Sequence, residues 1–251
     1  MGPEDKYMTD QDTYRNIAEY YDYMHEKNPE REKFFATIFR DNGVKTVLDC
    51  ACGTGGDLLM FHSLGVEVTG SDLSDSMLDR ARQKIEKNHL PIALSKVDFH
   101  KLSDYFNKKF DAIVCLSNAV NENDIVIDKA LKSFKSVLNK NGIIIFDQGQ
   151  TDFTMKNPLK YFPVVNNRDF TRLFIMEYNN DVMKVEVFDF LHTEEENDFR
   201  HSEFFIKIRL YSDWQTILEK AGLTAEFYGD WNFQKYSPSE SKRLIVVAKK
   251  K

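Results

Sequence analysis

Apolar residues in this 251-residue chain fall into short unbroken runs separated by longer segments of mixed polarity. "KTVLDC", "VEVTGSD", "IALSKVD", "FDAIVCL" and "IIIFD" read as strands, short and apolar on both faces. Between them "GDLLMFHSLG", "SDSMLDRARQKIEKN" and "DKALKSFKSVLNKNG" carry helical spacing. In the second of these Met77, Leu78, Ala81 and Ile85 share one face and Ser74 is placed to cap. In the third, Ala130, Leu131, Phe134 and Leu138 point one way. Ahead of the first strand, "DTYRNIAEYYDYMHE" and "REKFFATIFRDNG" predict two helices. Strict β-α exchange predicts an α/β, Rossmann-like, mostly parallel seven-stranded sheet with helices on both faces.

The pattern changes after Asp147. "TRLFIMEYNNDVMKVEVFDFLHTEEENDFRHSEFFIKIRLYS" holds three β-rich runs, with turn chemistry in "NND" between the first two, and predicts an inserted antiparallel β cap. "HTEEEND" reads as a solvated turn. "DWQTILEKAG" then returns as a helix and "RLIVVAK" as a final strand. The expected organisation is 1–149 for N-terminal helices and ligand-binding core, 150–210 for the cap, and 211–251 for the helix and strand that complete the core.

Composition narrows the function classes. A 42% hydrophobic content supports a full core, and no apolar stretch approaches the roughly 20 residues that span a bilayer. The start, "MGPEDKYMTDQD", lacks an apolar signal core, so the expectation is a soluble cytoplasmic protein with no membrane partner. A net charge of −6 with scattered basic residues argues against nucleic acid. Cys50, Cys52 and Cys115 lie on apolar segments without a second cysteine pair or nearby histidine, so no metal site is expected.

Candidate chemistry begins at "VLDCACGTGGDLL", residues 47–59, where glycines follow the first strand. Glycine there permits positive φ and lets a ligand approach peptide N–H groups at a helix start. A phosphate loop needs lysine and then serine or threonine after its last glycine, but Gly56 is followed by Asp57 and Leu58. The dinucleotide fingerprint needs a third glycine where Leu58 stands, which demotes a nicotinamide dehydrogenase without removing it.

The remaining pattern, Asp49-x-Ala51-x-Gly53-x-Gly55, resembles the first motif of class I S-adenosylmethionine-dependent methyltransferases. Asp72 closes the second strand, where a carboxylate can accept ribose hydroxyl protons. Asp98 and Phe99 close the third, where a carboxylate and a ring suit adenine. Any one of these aspartates is equally a cap or turn residue. Three in series after strands support the family. "VLDCACGTG", "GSDLSDSML" and "FDAIVCLSNAV" resemble the glycine and sarcosine N-methyltransferase group over roughly residues 14–147. That resemblance implies S-adenosylmethionine as cofactor, bound by Tyr14, Arg31, Ala51, Gly53, Gly55, Asp72, Leu73, Met77, Asp98, Phe99 and Leu116. It implies Asn118 and Tyr21 at the reacting amine, with Tyr20 and Arg168 completing the acceptor site.

One position departs from the group. Members that methylate glycine carry an arginine just beyond the fifth strand, and this chain has Gly149. Either Arg168 or Arg172 reaches in from the cap, or the acceptor is not a free α-amino acid. The expected reaction is methyl transfer to a small-molecule acceptor, an amine or amino acid of the glycine or sarcosine type. Oxygen or carbon transfer and a non-catalytic cofactor-binding subunit stay open as alternatives, as does a homo-oligomer. Of the histidines, His100 is the one near the expected cleft.

Overall fold

The computed structural model describes residues 14–24, 27–122, 124–192 and 197–250. Its helices are α1 (Arg15–Ala18), α2 (Pro29–Asp41), α3 (Gly56–Ser63), α4 (Asp75–Lys87), α5 (Leu102–Tyr105), α6 (Ile127–Ser136) and α7 (Tyr211–Lys220). Its strands are β1 (Thr46–Asp49), β2 (Glu67–Asp72), β3 (Ala93–Lys96), β4 (Phe110–Cys115), β5 (Leu138–Gln148), β6 (Tyr161–Asn166), β7 (Phe170–Asn179), β8 (Val182–His192), β9 (Asn197–Lys207), β10 (Leu223–Tyr228) and β11 (Leu244–Lys250).

Seven of them form one sheet in the order β10-β11-β5-β4-β1-β2-β3, parallel except that β11 runs against both neighbours. Val47, Leu48, Ile113, Val114 and Ile145 have no exposed surface, because helices cover both faces. That is why these strands are unbroken apolar runs. Phe34, Phe35, Phe61 and Ile85 from α2, α3 and α4 pack on one face. Leu102, Leu131, Phe134 and Trp214 from α5, α6 and α7 pack on the other. Ser74 caps α4 as its position predicts, its Oγ accepting from Met77 N at 3.1 Å. From β1 the chain builds outward to β2 and β3, then crosses back to β4 and β5. The order therefore reverses between β1 and β4, which opens a crevice at their carboxyl ends.

The other four strands make an antiparallel sheet, β6-β7-β8-β9, between β5 and α7. "NND" forms the β7–β8 turn, with Asn180 at φ +52°. Along β8, Met183, Val185, Val187, Asp189 and Leu191 alternate inward. This face covers the N-terminal segment, so Ile17, Tyr21 and Met24 share a cluster with Met183, Val185 and Val187.

Three details differ from the sequence pattern. The helix expected to reach residue 142 ends at Ser136, because Leu138 pairs opposite Phe110 and opens β5. The N-terminal helix is only α1 followed by a 3₁₀ turn at Tyr21–Met24. Tertiary bonds replace its continuation: Asp22 Oδ1 accepts from Thr54 Oγ1 and Lys84 Nζ, both at 2.6 Å. Strand β6 is an edge strand with a bulge at Pro163, a residue that masks strand signals. Residues 12, 13, His25 and 193–196 of "HTEEEND" lie outside the described residues. Among the described residues no helix is long and apolar enough to cross a membrane.

Candidate functional site

The crevice at the ends of β1, β2, β3 and β4 is a cavity of about 850 Å³. Its floor begins in the turn after β1. Gly53 takes φ +52°, and a Cβ added there would have Tyr21 Cε1 as its nearest neighbour, at 3.8 Å, so this backbone is bare towards the cavity. The Gly53 N–H donates to Asp72 Oδ2 at 2.8 Å, and Ser74 N donates to Asp72 Oδ1 at 2.9 Å. The carboxylate at the end of β2 is thus aimed by the glycine turn and by the cap of α4. Gly55 has a different task. Its φ is +81°, and a Cβ there would meet Ala81 Cβ at 3.0 Å and Cα at 3.2 Å. It lets α4 approach the turn and does not line the cavity.

At the end of β3, Asp98 and Phe99 line the cavity with Leu73, Met77 and Leu116. Asp98 accepts from His100 N at 2.9 Å and pairs with His100 Nδ1 at 2.8 Å, while His100 Nε2 accepts from Val126 N at 3.2 Å. Both ring nitrogens are engaged, with the proton on Nδ1. The histidine braces the loop after β4 and has no lone pair left for base work.

The N-terminal segment forms the opposite wall. Tyr14, Tyr21, Arg31 and Ala51 all line the cavity, as does Glu122. Tyr14 donates to Glu122 Oε1 at 2.5 Å. Tyr21 is hydrogen-bonded with Ser117, and burial together with the Asp72 and Asp57 carboxylates pushes its phenol up. Arg31 reaches the wall already paired: both terminal nitrogens meet Asp57, with Nη2 to Oδ2 at 2.7 Å, and the guanidinium lies 5.1 Å over the Trp231 ring. Asp49, buried just behind, accepts among the described residues only from Ala51 N at 3.4 Å, and burial pushes its carboxyl well above the usual range.

Three expected acceptor residues are not brought to this wall. Tyr20 stacks on Phe170 of the second sheet, ring centres 4.7 Å apart. Asn118, at φ +68°, turns its Oδ1 to Gly149 N at 2.9 Å and stitches the end of β4 to the end of β5. Arg168 is exposed at the β6–β7 turn, and Arg172 is fully buried and bound to Asp189. Neither Arg168 nor Arg172 therefore stands where Gly149 leaves a gap. Glu122 is the residue that sequence reasoning missed. Its only signal was an acidic side chain four positions beyond Asn118, in a stretch that reads as loop.

Comparison with known proteins agrees with this geometry. Residues 47–142 match the family model described as a methyltransferase domain. The chain is 29% identical over 161 residues to a glycine/sarcosine N-methyltransferase of Aphanothece halophytica, covering 60% of this chain and 61% of that protein. It thus spans about three fifths of that relative's length. Among solved structures, it is similar to an S-adenosylmethionine-dependent methyltransferase from Clostridium acetobutylicum. That likeness has a TM-score of 0.82 and 20% identity, over 94% of this chain and 98% of that one. A sugar N-methyltransferase, KedS8, from Streptoalloteichus has a TM-score of 0.75 and 18% identity, over 100% and 98%. These last two likenesses concern the fold.

Proposed function

We propose that this chain, built on a class I S-adenosylmethionine-dependent methyltransferase domain, methylates the nitrogen of a small amine. The cofactor fits the residues present. Gly53 leaves room for a ligand against the turn, Asp72 offers a fixed carboxylate to ribose hydroxyls, and Asp98 beside Phe99 suits the amino edge and face of adenine. When bound, S-adenosylmethionine supplies an activated methyl: a bond forms from the acceptor to carbon as the carbon–sulfur bond breaks, leaving a neutral thioether.

The observation that carries nitrogen over oxygen is the acidic lining of the cavity, where Glu122, Asp72 and Asp124 stand together and suit an acceptor that arrives as a cation. A phenol or alcohol brings no such charge, and His100, the histidine of the cavity wall among the described residues, has both nitrogens occupied and does not serve as its base. A neutral amine needs chiefly alignment, which Tyr21 from the N-terminal 3₁₀ turn and Ser117 from the end of β4 can give. Relatives and neighbours named as glycine/sarcosine and sugar N-methyltransferases support the same choice.

Two measurements test it. Titration calorimetry should give binding of S-adenosylhomocysteine and none of NAD. Methyl transfer assayed against ethanolamine, glycine and catechol should favour an amine. Binding of NAD alone would end the cofactor assignment, and transfer confined to catechol would end the nitrogen reading.

A further inference from the structure

We propose that Glu122, held by the Tyr14 hydroxyl, receives the ammonium form of the acceptor and takes its proton, and that this acceptor carries no carboxylate. The inference rests on the reading that the chain methylates nitrogen. An alkyl amine with a pKa near that of a lysine side chain, about 10.4, reaches a neutral site as an ammonium ion with no lone pair to donate. It needs a counter-ion and somewhere to leave a proton.

Among the described residues the cavity wall has one carboxylate suited to both: Asp22 accepts from Thr54 and Lys84, and Glu32 and Asp124 are exposed. Asp57 is paired with Arg31, and both Asp72 oxygens accept backbone N–H groups. Asp98 is taken up by His100. Glu122 accepts from Tyr14 and, among the described residues, has no cation beside it. Its position is fixed from two sides. Its backbone bridges to Ile206 on β9, and the Tyr14 ring that holds its side chain stacks on Phe204, 6.3 Å between centres. The groups facing it are Tyr14, Tyr21, Asp72 and Asp124. Burial pushes the Glu122 carboxyl up to about 7, the Tyr14 hydrogen bond works against that rise, and Asp124 and Asp72 add to it. A carboxyl poised there can hold an ammonium ion and accept its proton near neutral pH. The step balances: one N–H bond of the ammonium breaks and its electron pair stays on nitrogen, while the proton forms a bond to Glu122 and later leaves to water.

The same wall argues against a carboxylate on the acceptor. Among the described residues its cationic groups are Lys27, exposed at the rim, and Arg31, already paired with Asp57. A free amino acid would set its own carboxylate beside Glu122, Asp72 and Asp124 without a guanidinium to receive it.

The experiment compares wild type with Glu122→Gln, which keeps the shape and an acceptor for the Tyr14 hydroxyl. Affinity for S-adenosylhomocysteine should change less than twofold, while turnover on ethanolamine should fall at least about 100-fold. The acid limb near pH 7 in the kcat/KM profile should vanish. Independently of turnover, with S-adenosylhomocysteine bound, the carboxyl carbon signal missing from labelled Glu122→Gln should titrate near pH 7 in wild type and move lower on adding ethanolamine. Equal turnover in the variant, or a signal in the ordinary glutamate range that ignores ethanolamine, overturns the role of Glu122. Glycine preferred to ethanolamine overturns the carboxylate-free acceptor. If wild type methylates only catechol, the nitrogen reading fails; if it methylates amines and the variant does so equally well, only the present inference fails.

Discussion

In the four-stranded sheet Arg172 and Asp189 are both out of solvent, and two bonds of 2.7 and 2.6 Å join them, with Ile17 O taking a further guanidinium proton at 3.3 Å. At the ends of the parallel strands Asp49 is as deeply buried as Asp189, yet its one donor among the described residues is a backbone N–H at 3.4 Å. Glu122 has one phenol. The first arrangement closes its own electrostatics and ties the N-terminal segment to β7. The second leaves two carboxyls around a cavity with no ion-pair partner among the described residues, and burial holds both towards the protonated form, which suits a ligand that brings positive charge. A buried charge that is fully matched belongs to the scaffold. One that is not matched marks where something else is to arrive.

The comparison breaks most visibly at Arg172. Arg172→Leu strands Asp189 in the sheet and should cost about 3 to 5 kcal/mol, read as a lower denaturation midpoint, whereas Arg172→Leu with Asp189→Leu should recover most of it. A single variant within about 1 kcal/mol of wild type would mean that this pair is not holding the sheet to the segment.

At the cavity the opposite sign is expected. The folded Glu122 carboxyl titrates at about 7 against 4.5 unperturbed, so as pH rises the unfolded chain gives up its proton first and the folded state loses stability between those values. Glu122→Gln should therefore match wild type below pH 4.5 and exceed it above pH 7, by about 3 kcal/mol. Urea denaturation at pH 4 and pH 8 measures the difference, and a variant less stable at pH 8 would place Glu122 among the matched charges.

Smaller effects separate the carboxylates of the floor. Asp72→Ala should weaken S-adenosylhomocysteine by about 2 kcal/mol, roughly 30-fold, and Asp98→Asn by only about threefold, because the amide still offers an acceptor oxygen. Equal losses in calorimetry would remove the distinction between an aimed carboxylate and an edge contact.

Much of this arrangement can be read from the chain. The strands of the parallel sheet, the Ser74 cap, the turn at Gly53 and the acids at 72 and 98 are local features, set by period and by residue type at a strand end. What could not be read depends on distant partners. Leu138 is apolar and buried whether it ends a helix or starts a strand, and only its pairing with Phe110 decides. "LTAEFY" becomes β10 because β11 is there to pair with it. Tyr20 and Tyr21 are neighbours in sequence, and the 3₁₀ turn sends one to Phe170 and the other to the cavity. Glu122 is held in place by Tyr14, 108 positions earlier, and acquires its character from burial in the folded chain.

The approach of Gly55 to Ala81 extends this dependence into the history of the sequence. The methyl of Ala81 sits against a backbone that has no room for a Cβ. A larger residue at 81 would push α4 away from the turn, and with it the Ser74 and Gly53 amides that aim Asp72. Residues 55 and 81 are therefore not free to drift independently. A lineage that enlarged one would have to rebuild the ribose contact from a different residue, so the pair acts as a single inherited character carried on a turn and a helix.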